Sequence, residues 1–227
     1  MLGYPKELIM SKTLEELIYF QNPYQDLKID DYPAEGVGSS FTKDLWDYVL
    51  KTTQPDYFLE VGSWKGGSAI DFAKHLKSIG SPTKIVCVDT WIGTYYHRMN
   101  QTEFNQLKAT NNFPRLYETF LSNVVRAGVQ DYIIPLPLPS IEAARFFTKQ
   151  GTKFKAIYVD ASHEYIDVYL DLCFHWENLA PGGIMFGDDY SETWSGVIND
   201  TNKFARERNV QLEIPRIFQW LMRKPNV

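Results

Sequence analysis

Apolar positions along this 227-residue chain recur in two rhythms that take turns. Short, nearly unbroken apolar runs at 57–61, 84–88, 132–136, 155–159 and 184–186 have the length and make-up of strands covered on both faces. Between them apolar residues recur every three or four positions, as on one face of a helix. Phe41, Leu45, Trp46, Val49 and Leu50 mark one such face, and Ala69, Ile70, Ala73 and Leu76 a second. Leu116, Phe120, Val124 and Val125, closed by Gly128, mark a third. Helices are also expected over 141–147, along Tyr165, Val168, Tyr169, Leu172 and Trp176, and near 197–206. Two more strands, 210–214 and 217–222, are separated only by Pro215 and Arg216, too little chain for a crossover helix, so they should pair antiparallel. The pattern predicts the α/β class: a Rossmann-like, doubly wound, mostly parallel seven-stranded sheet with a C-terminal antiparallel hairpin.

Residues 1–38 are polar and interrupted at Asn22-Pro23 and Tyr32-Pro33, which reads as an N-terminal arm or lid ahead of a main domain at 39–227. The net charge of −5 and a pI near 5.4 argue against a nucleic-acid or membrane partner, which would favour a basic stripe. No run approaches the roughly 20 apolar residues of a membrane span, and the first 20 residues lack the apolar centre of a signal peptide. Cys87, in a strand-like run, and Cys173, in a helix-like one, suit buried free thiols and a cytoplasmic setting. A small molecule is therefore the expected partner. Arms of this kind often join subunit contacts, so a homo-oligomer is a further expectation.

Ligands of open parallel sheets bind at the carboxyl ends of the strands, near the point where strand order reverses. The first such end reads Glu60-Val61-Gly62-Ser63-Trp64-Lys65-Gly66-Gly67-Ser68. Its glycines permit a tight turn and close approach of a ligand to the helix start. A dinucleotide fingerprint would need glycine where Trp64 stands, which disfavours nicotinamide cofactors. Asp89, ending the second strand, can accept the two hydroxyls of a ribose, and Glu60 suits a nearby cation.

The fourth strand runs out at Asp160-Ala161-Ser162-His163 and the fifth at Gly187-Asp188-Asp189-Tyr190. Neighbouring strands lie about 4.8 Å apart, which would crowd Asp160, Asp188 and Asp189 into one cleft. Both consecutive aspartates can point inward only if the chain turns after Gly187. Crowded carboxylates are relieved by a proton or a cation, and all-oxygen ligation favours Mg²⁺ or another hard divalent ion. Spacing alone leaves this metal site and an ordinary acidic loop pair equally open. An unperturbed histidine titrates near neutrality, so His163 is a candidate to take a proton from a hydroxyl. Tyr190 and Trp194 flank the acidic loop, and the polar insertion 92–112, with Tyr95, Tyr96 and His97, is placed to cap the cleft.

The runs E-V-G-S-W-K-G-G-S and V-D-T-W-I-G resemble the S-adenosylmethionine site of class I methyltransferases. More narrowly the chain is similar, over 41–207, to metal-dependent macrocin-type sugar O-methyltransferases and cephalosporin-hydroxylase-like proteins. The resemblance implies that Glu60 and Gly62 contact the methionine portion and that Asp89 holds the ribose. It extends less directly to Ser63, Ser68 and Trp91 as further cofactor contacts and to Ser140 beside the adenine. It also implies a metal on Asp160, Asp188 and Asp189. Ser162 stands where some relatives keep an aspartate base, whereas the Asp-x-x-His spacing matches relatives in which the histidine, here His163, is the base. The implied activity is methyl transfer from S-adenosylmethionine to a hydroxyl of a small molecule, a sugar or glycosylated metabolite. A catechol-type phenol is the nearest alternative acceptor. Rival readings are a hydroxylase or other oxidoreductase on the same fold and a non-catalytic S-adenosylmethionine-binding module.

Overall fold

The computed structural model describes residues 12–32, 34 and 38–226. Residues 1–11 of the expected arm lie outside the described residues. Seven strands form one sheet: β1 (Tyr57–Val61), β2 (Lys84–Asp89), β3 (Ile133–Pro137), β4 (Phe154–Val159), β5 (Leu179–Tyr190), β6 (Leu212–Arg216) and β7 (Phe218–Arg223), in the order β3-β2-β1-β4-β5-β7-β6. The first five pair in parallel, and β7 pairs antiparallel with both β5 and β6. Strand order reverses between β1 and β4, so their carboxyl ends open the crevice in which such sheets bind ligands.

Alternation along each strand feeds two cores. Phe58, Ile85, Ala156, Tyr158 and Phe186 face α2 (Lys43–Thr53), α3 (Gly67–Ser78) and α5 (Leu116–Arg126). Leu59, Val61, Val86, Ile157 and Met185 face α6 (Ser140–Gln150), α7 (Asp167–Asn178) and α8 (Ser195–Arg208). Both faces being covered explains why these strands read as unbroken apolar runs. Among the described residues no helix is long and apolar enough to cross a membrane.

Three strands differ from the sequence expectation. β3 contains Pro135, as expected, and runs on through Pro137, one residue past the expected run 132–136, which a sheet tolerates because β3 is an outer strand with one row of N–H groups left unpaired. Pro215 likewise falls inside β6, the strand at the other margin. β5 begins at Leu179, ahead of the Pro181-Gly182-Gly183 turn, and a register shift against β4 between Phe154 and Ala156 accommodates the intervening residues.

The described part of the arm, together with the link to α2, crosses the molecule from one end of the strands to the other. Its short helix α1 (Leu14–Ile18) starts in a reciprocal Thr13–Glu16 cap, buries Leu14 and sets Glu15 against Lys84 and Tyr57, where β2 and β1 begin. Tyr24 donates its hydroxyl to the carbonyl of Ile133 at the start of β3. The carbonyls of Ile29 and Tyr32 then accept from Ser122 and Arg126 of α5. Ser40 finally reaches the carboxyl ends of the strands, beside Asp160.

Candidate active site

The glycine turn after β1 is built around two buried acids. Gly62 has φ +88°, and a Cβ there would stand 2.1 Å from the carbonyl oxygen of Asp160, so only glycine lets the end of β1 lie against the end of β4. Glu60 is fully buried beneath the turn and accepts the hydroxyls of Ser63 (2.6 Å) and Ser68 (2.5 Å), with the Cys87 thiol 3.5 Å away. Burial lifts its carboxyl to about 7, against the pull of those three donors. Asp89 is partly accessible; its Oδ2 accepts the backbone N–H groups of Ser63 and Trp64 at 3.1 and 2.8 Å, and its Oδ1 that of Trp91 at 2.8 Å. Burial raises this carboxyl too, with the backbone N–H groups of Trp91, Trp64, Ser63 and Thr90 opposing.

Trp64 turns left-handed (φ +46°) and gives its carbonyl to the indole N–H of Trp91 at 2.6 Å. The Trp91 ring is 2% exposed and packs on Tyr117 and Phe120, so it locks the turn from inside the core. Ser140 opens α6, and its hydroxyl is engaged with Asp171 Oδ1 (2.5 Å) and His175 Nε2 (2.9 Å) of α7. Burial pushes Asp171 up to about 7 and His175 down to about 4, which makes this a nearly neutral polar tie between two helices.

Across the shared wall lies the second group. The ligand atoms of Asp160, His163 and Asp189 lie within 4.8 Å of one another. His163 Nε2 stands 2.8 Å from Asp189 Oδ2 and 3.5 Å from Asp160 Oδ1, yet it is buried and makes no aligned hydrogen bond. Burial opposes a charge on this ring, but the two carboxylates outweigh it and raise His163 to about 9. The geometry that aims Asp189 is a bulge: pairing with β7 shifts register between Gly187 and Tyr190, and Asp189 takes φ +59°. Asp188 falls outside the close trio; burial and the charges of Asp160 and Asp189 lift it to about 6.

The loop carrying His163 is braced from behind. A Cβ on Gly196 would lie 2.3 Å from the His163 carbonyl, so glycine lets the start of α8 approach that loop. The rings of Trp194 and His163 lie 4.4 Å apart, and Trp194 is part-exposed on the open side. Tyr190 is held through its hydroxyl by Asn202. The insertion, which carries the short helix α4 (Gln101–Asn105), spans the cleft from side to side: His97 stacks on Trp64 with ring centres 4.8 Å apart, and Tyr95 donates its hydroxyl to Glu164 at 2.7 Å. Sequence reasoning missed Ser40 and Tyr158, whose hydroxyls both reach Asp160 Oδ2.

A glycine turn anchored on two acids at the switch point, with a second acidic group in backbone contact with it, is the setting in which the comparisons are informative. The family model described as "Methyltransferase domain" matches residues 59–190, from within β1 to the end of β5. The chain belongs to this methyltransferase family. The match takes in the glycine turn, Asp89, Asp160, His163 and the bulged pair Asp188-Asp189. A rhamnosyl O-methyltransferase of Mycobacterium bovis is 42% identical over 48 residues, and its Mycobacterium tuberculosis counterpart equally so. Those 48 residues are 20% of this chain and 20% of each of these curated relatives.

Solved methyltransferases share the fold. An O-methyltransferase of Bacillus cereus, in complex with SAH, superposes with a TM-score of 0.54 at 14% identity, over 92% of this chain and 93% of the other. CalS11, a TDP-rhamnose 3'-O-methyltransferase of calicheamicin biosynthesis, gives 0.52 at 18% identity, over 79% and 75%. The architecture of this methyltransferase domain, down to the antiparallel β5-β7-β6 portion, is thus that of the solved enzymes.

Proposed function

We propose that this chain is an S-adenosylmethionine-dependent, metal-assisted O-methyltransferase acting on a hydroxyl of a sugar or glycosylated small molecule. One observation carries the reading: Gly62 of the cofactor turn abuts the backbone of Asp160, so a methyl donor at the turn and an acceptor at the acidic trio would share one wall. Family membership supports the transfer chemistry. The sugar acceptor draws on the rhamnosyl and TDP-rhamnose enzymes named above.

In this reading the turn takes the methionine end and the accessible side of Asp89 takes the ribose. Gly62 and Ser63 line the donor with backbone whose N–H groups are held by Val88 and Asp89, while Glu60, Ser68 and Trp91 act from beneath by holding the turn. The domain is 39–227, with 1–38 as its arm.

The trio fits a divalent cation: a buried imidazole nitrogen without an aligned partner faces two carboxylate oxygens. Asp160 and Asp189 would hold the ion, with Asp188 supplying further negative charge beside them. When bound, such an ion would offset the carboxylate charges that hold His163 up at about 9, leaving its Nε2 free to accept a proton, and would lower the pKa of an adjacent hydroxyl. The acceptor oxygen attacks the sulfonium methyl in line; the C–O bond forms, the C–S bond breaks with its electron pair going to sulfur, and the hydroxyl proton passes to His163 Nε2. Trp194 and Tyr190 give the acceptor ring a wall, and the insertion excludes water.

The test is calorimetric titration of S-adenosylmethionine into chelator-treated protein, followed by Mg²⁺ and a methyl-transfer assay on rhamnosides. Cofactor binding without metal and transfer only with metal are expected. Full transfer in chelator would remove the metal from the proposal, and an absence of cofactor binding would overturn it entirely.

A further inference from the structure

Asp160 is reached by two hydroxyls from elements far apart in the chain. Tyr158, on β4, is fully buried and packed between Trp46 and Phe186, with ring centres 4.7 and 5.0 Å away. Its hydroxyl lies 2.6 Å from Ser40 Oγ and 3.2 Å from Asp160 Oδ2. Ser40 Oγ is itself 3.3 Å from the same carboxylate oxygen. Each hydroxyl has one proton, so the proton order that satisfies all three groups is Tyr158 donating to Ser40 and Ser40 donating to Asp160. The serine is fixed in turn: its carbonyl accepts from Gln219 Nε2 at 3.0 Å, and Gln219 Oε1 accepts from Thr42 at 2.7 Å. Gln219 is 2% exposed, so this bracket is internal to the fold.

We infer that Ser40 and Tyr158 are positioning residues for Asp160, holding Oδ2 so that Oδ1 is the oxygen presented to His163 and Asp189. The inference rests on the metal-assisted reading above and adds to it the part of the chain that sets the ligand. A carboxylate held at one oxygen offers the other in a fixed direction, without the loss of torsional freedom that a free aspartate would incur on binding. It also makes the link between the arm and α2 part of the site. Ser40 lies in that link, and its hydroxyl is the only tie among the described hydrogen bonds from residues 12–41 to the acidic trio.

The experiment uses the full chain in four forms: wild type, Tyr158→Phe, Ser40→Ala and Ser40→Thr. Mn²⁺ binding is read by electron paramagnetic resonance, S-adenosylmethionine binding by calorimetry, and folding by thermal melting. Outer groups that orient a metal ligand typically change metal affinity by about 10–100-fold. Tyr158→Phe, which keeps the ring, and Ser40→Ala should each weaken Mn²⁺ about 10-fold with cofactor affinity unchanged. Ser40→Thr, which keeps the hydroxyl, should restore Mn²⁺ affinity, an outcome that a purely structural role for Ser40 would not give. Wild-type Mn²⁺ affinity in both Tyr158→Phe and Ser40→Ala would overturn the positioning role while leaving the metal reading intact. Failure of wild-type protein itself to bind Mn²⁺ would overturn both.

Discussion

The carboxylate of Asp200, on α8, accepts the backbone N–H of Ile166 at 2.7 Å, just where the loop carrying His163 turns into α7. The same oxygen accepts the N–H of Tyr169 at 3.1 Å, so a residue from another helix supplies the cap that α7 lacks locally. Ile166 has φ +74°, a conformation that a β-branched residue adopts only under constraint. Asp200→Ala should therefore lower stability by about 1–2 kcal/mol, the usual cost of a lost cap. Thermal melting should show a drop of several degrees, and Asp200→Asn, which keeps an acceptor, a smaller one. Equal melting temperatures for wild type and Asp200→Ala would show that the loop holds itself.

Gly62 tolerates no side chain. Its φ of +88° and the 2.1 Å approach to the Asp160 carbonyl mean that Gly62→Ala must part β1 from β4 or bend the turn. Backbone strain and overpacking of this kind each cost about 1–3 kcal/mol. The variant should melt lower and lose both cofactor binding and methyl transfer together, because the turn and the acidic trio share that contact. Loss of one with the other intact, read by calorimetry and by transfer assay, would separate the two sites.

Glu60 predicts a pH signature. Its folded carboxyl titrates near 7, well above the ordinary 4.5, so the folded state holds a proton that the unfolded state has released between those values. The associated stability is fully present below pH 4.5 and is lost as pH rises through 7. Glu60→Gln removes this dependence, so its stability should gain on that of wild type from pH 5 to pH 8 by an amount of order 2–3 kcal/mol, read as a rising relative melting temperature. Parallel melting curves across that range would mean that the carboxylate is compensated when charged.

The strap formed by the insertion is testable at its far end. Tyr95→Phe removes the hydroxyl that reaches Glu164 and leaves the His97–Trp64 stack in place. Both partners are exposed, so the fold should be indifferent and the melting temperature unchanged. Under the proposed function, kcat/KM for the acceptor should fall roughly 2–5-fold, as expected for one hydrogen bond, with cofactor affinity unaltered. A wild-type kcat/KM would mean that the strap plays no part in acceptor binding.

Much of this architecture is legible in the sequence because burial on both faces of a parallel sheet leaves an unmistakable record. The runs around Phe58, Val86 and Ile157 could hardly be anything but central strands. Pro137 falls outside the run read from the sequence for a local reason: proline is incompatible with a central strand, and nothing in the neighbouring residues reveals that β3 lies at a margin. The acids are legible as a set and less so as individuals. Glu60 looks like a ligand contact, but the pleat turns it under the turn, where Ser63 and Ser68 enclose it. Asp188 and Asp189 carry equal chemistry, and only a bulge against β7, itself 30 residues on, separates the one that faces His163 from the one that does not. Ser40 could not have been found by inspection. It meets Asp160 across 120 positions of sequence, and a lone serine before a helix reads first as a cap.

The prolines at the two margins of the sheet reach beyond the single molecule. An outer strand normally offers a complete row of donors on which a stranger's strand can grow, and that is how partly opened α/β proteins fuse into aggregates. Here Pro135 and Pro137 break the row on one flank and Pro215 breaks it on the other. Copies of this chain therefore meet no ready template for joining their sheets end to end, even when heat loosens the helices that cover them. Crowded or warmed protein should stay dispersed longer than its seven-stranded sheet would suggest, and replacing Pro135 by a residue with an N–H would remove part of that protection.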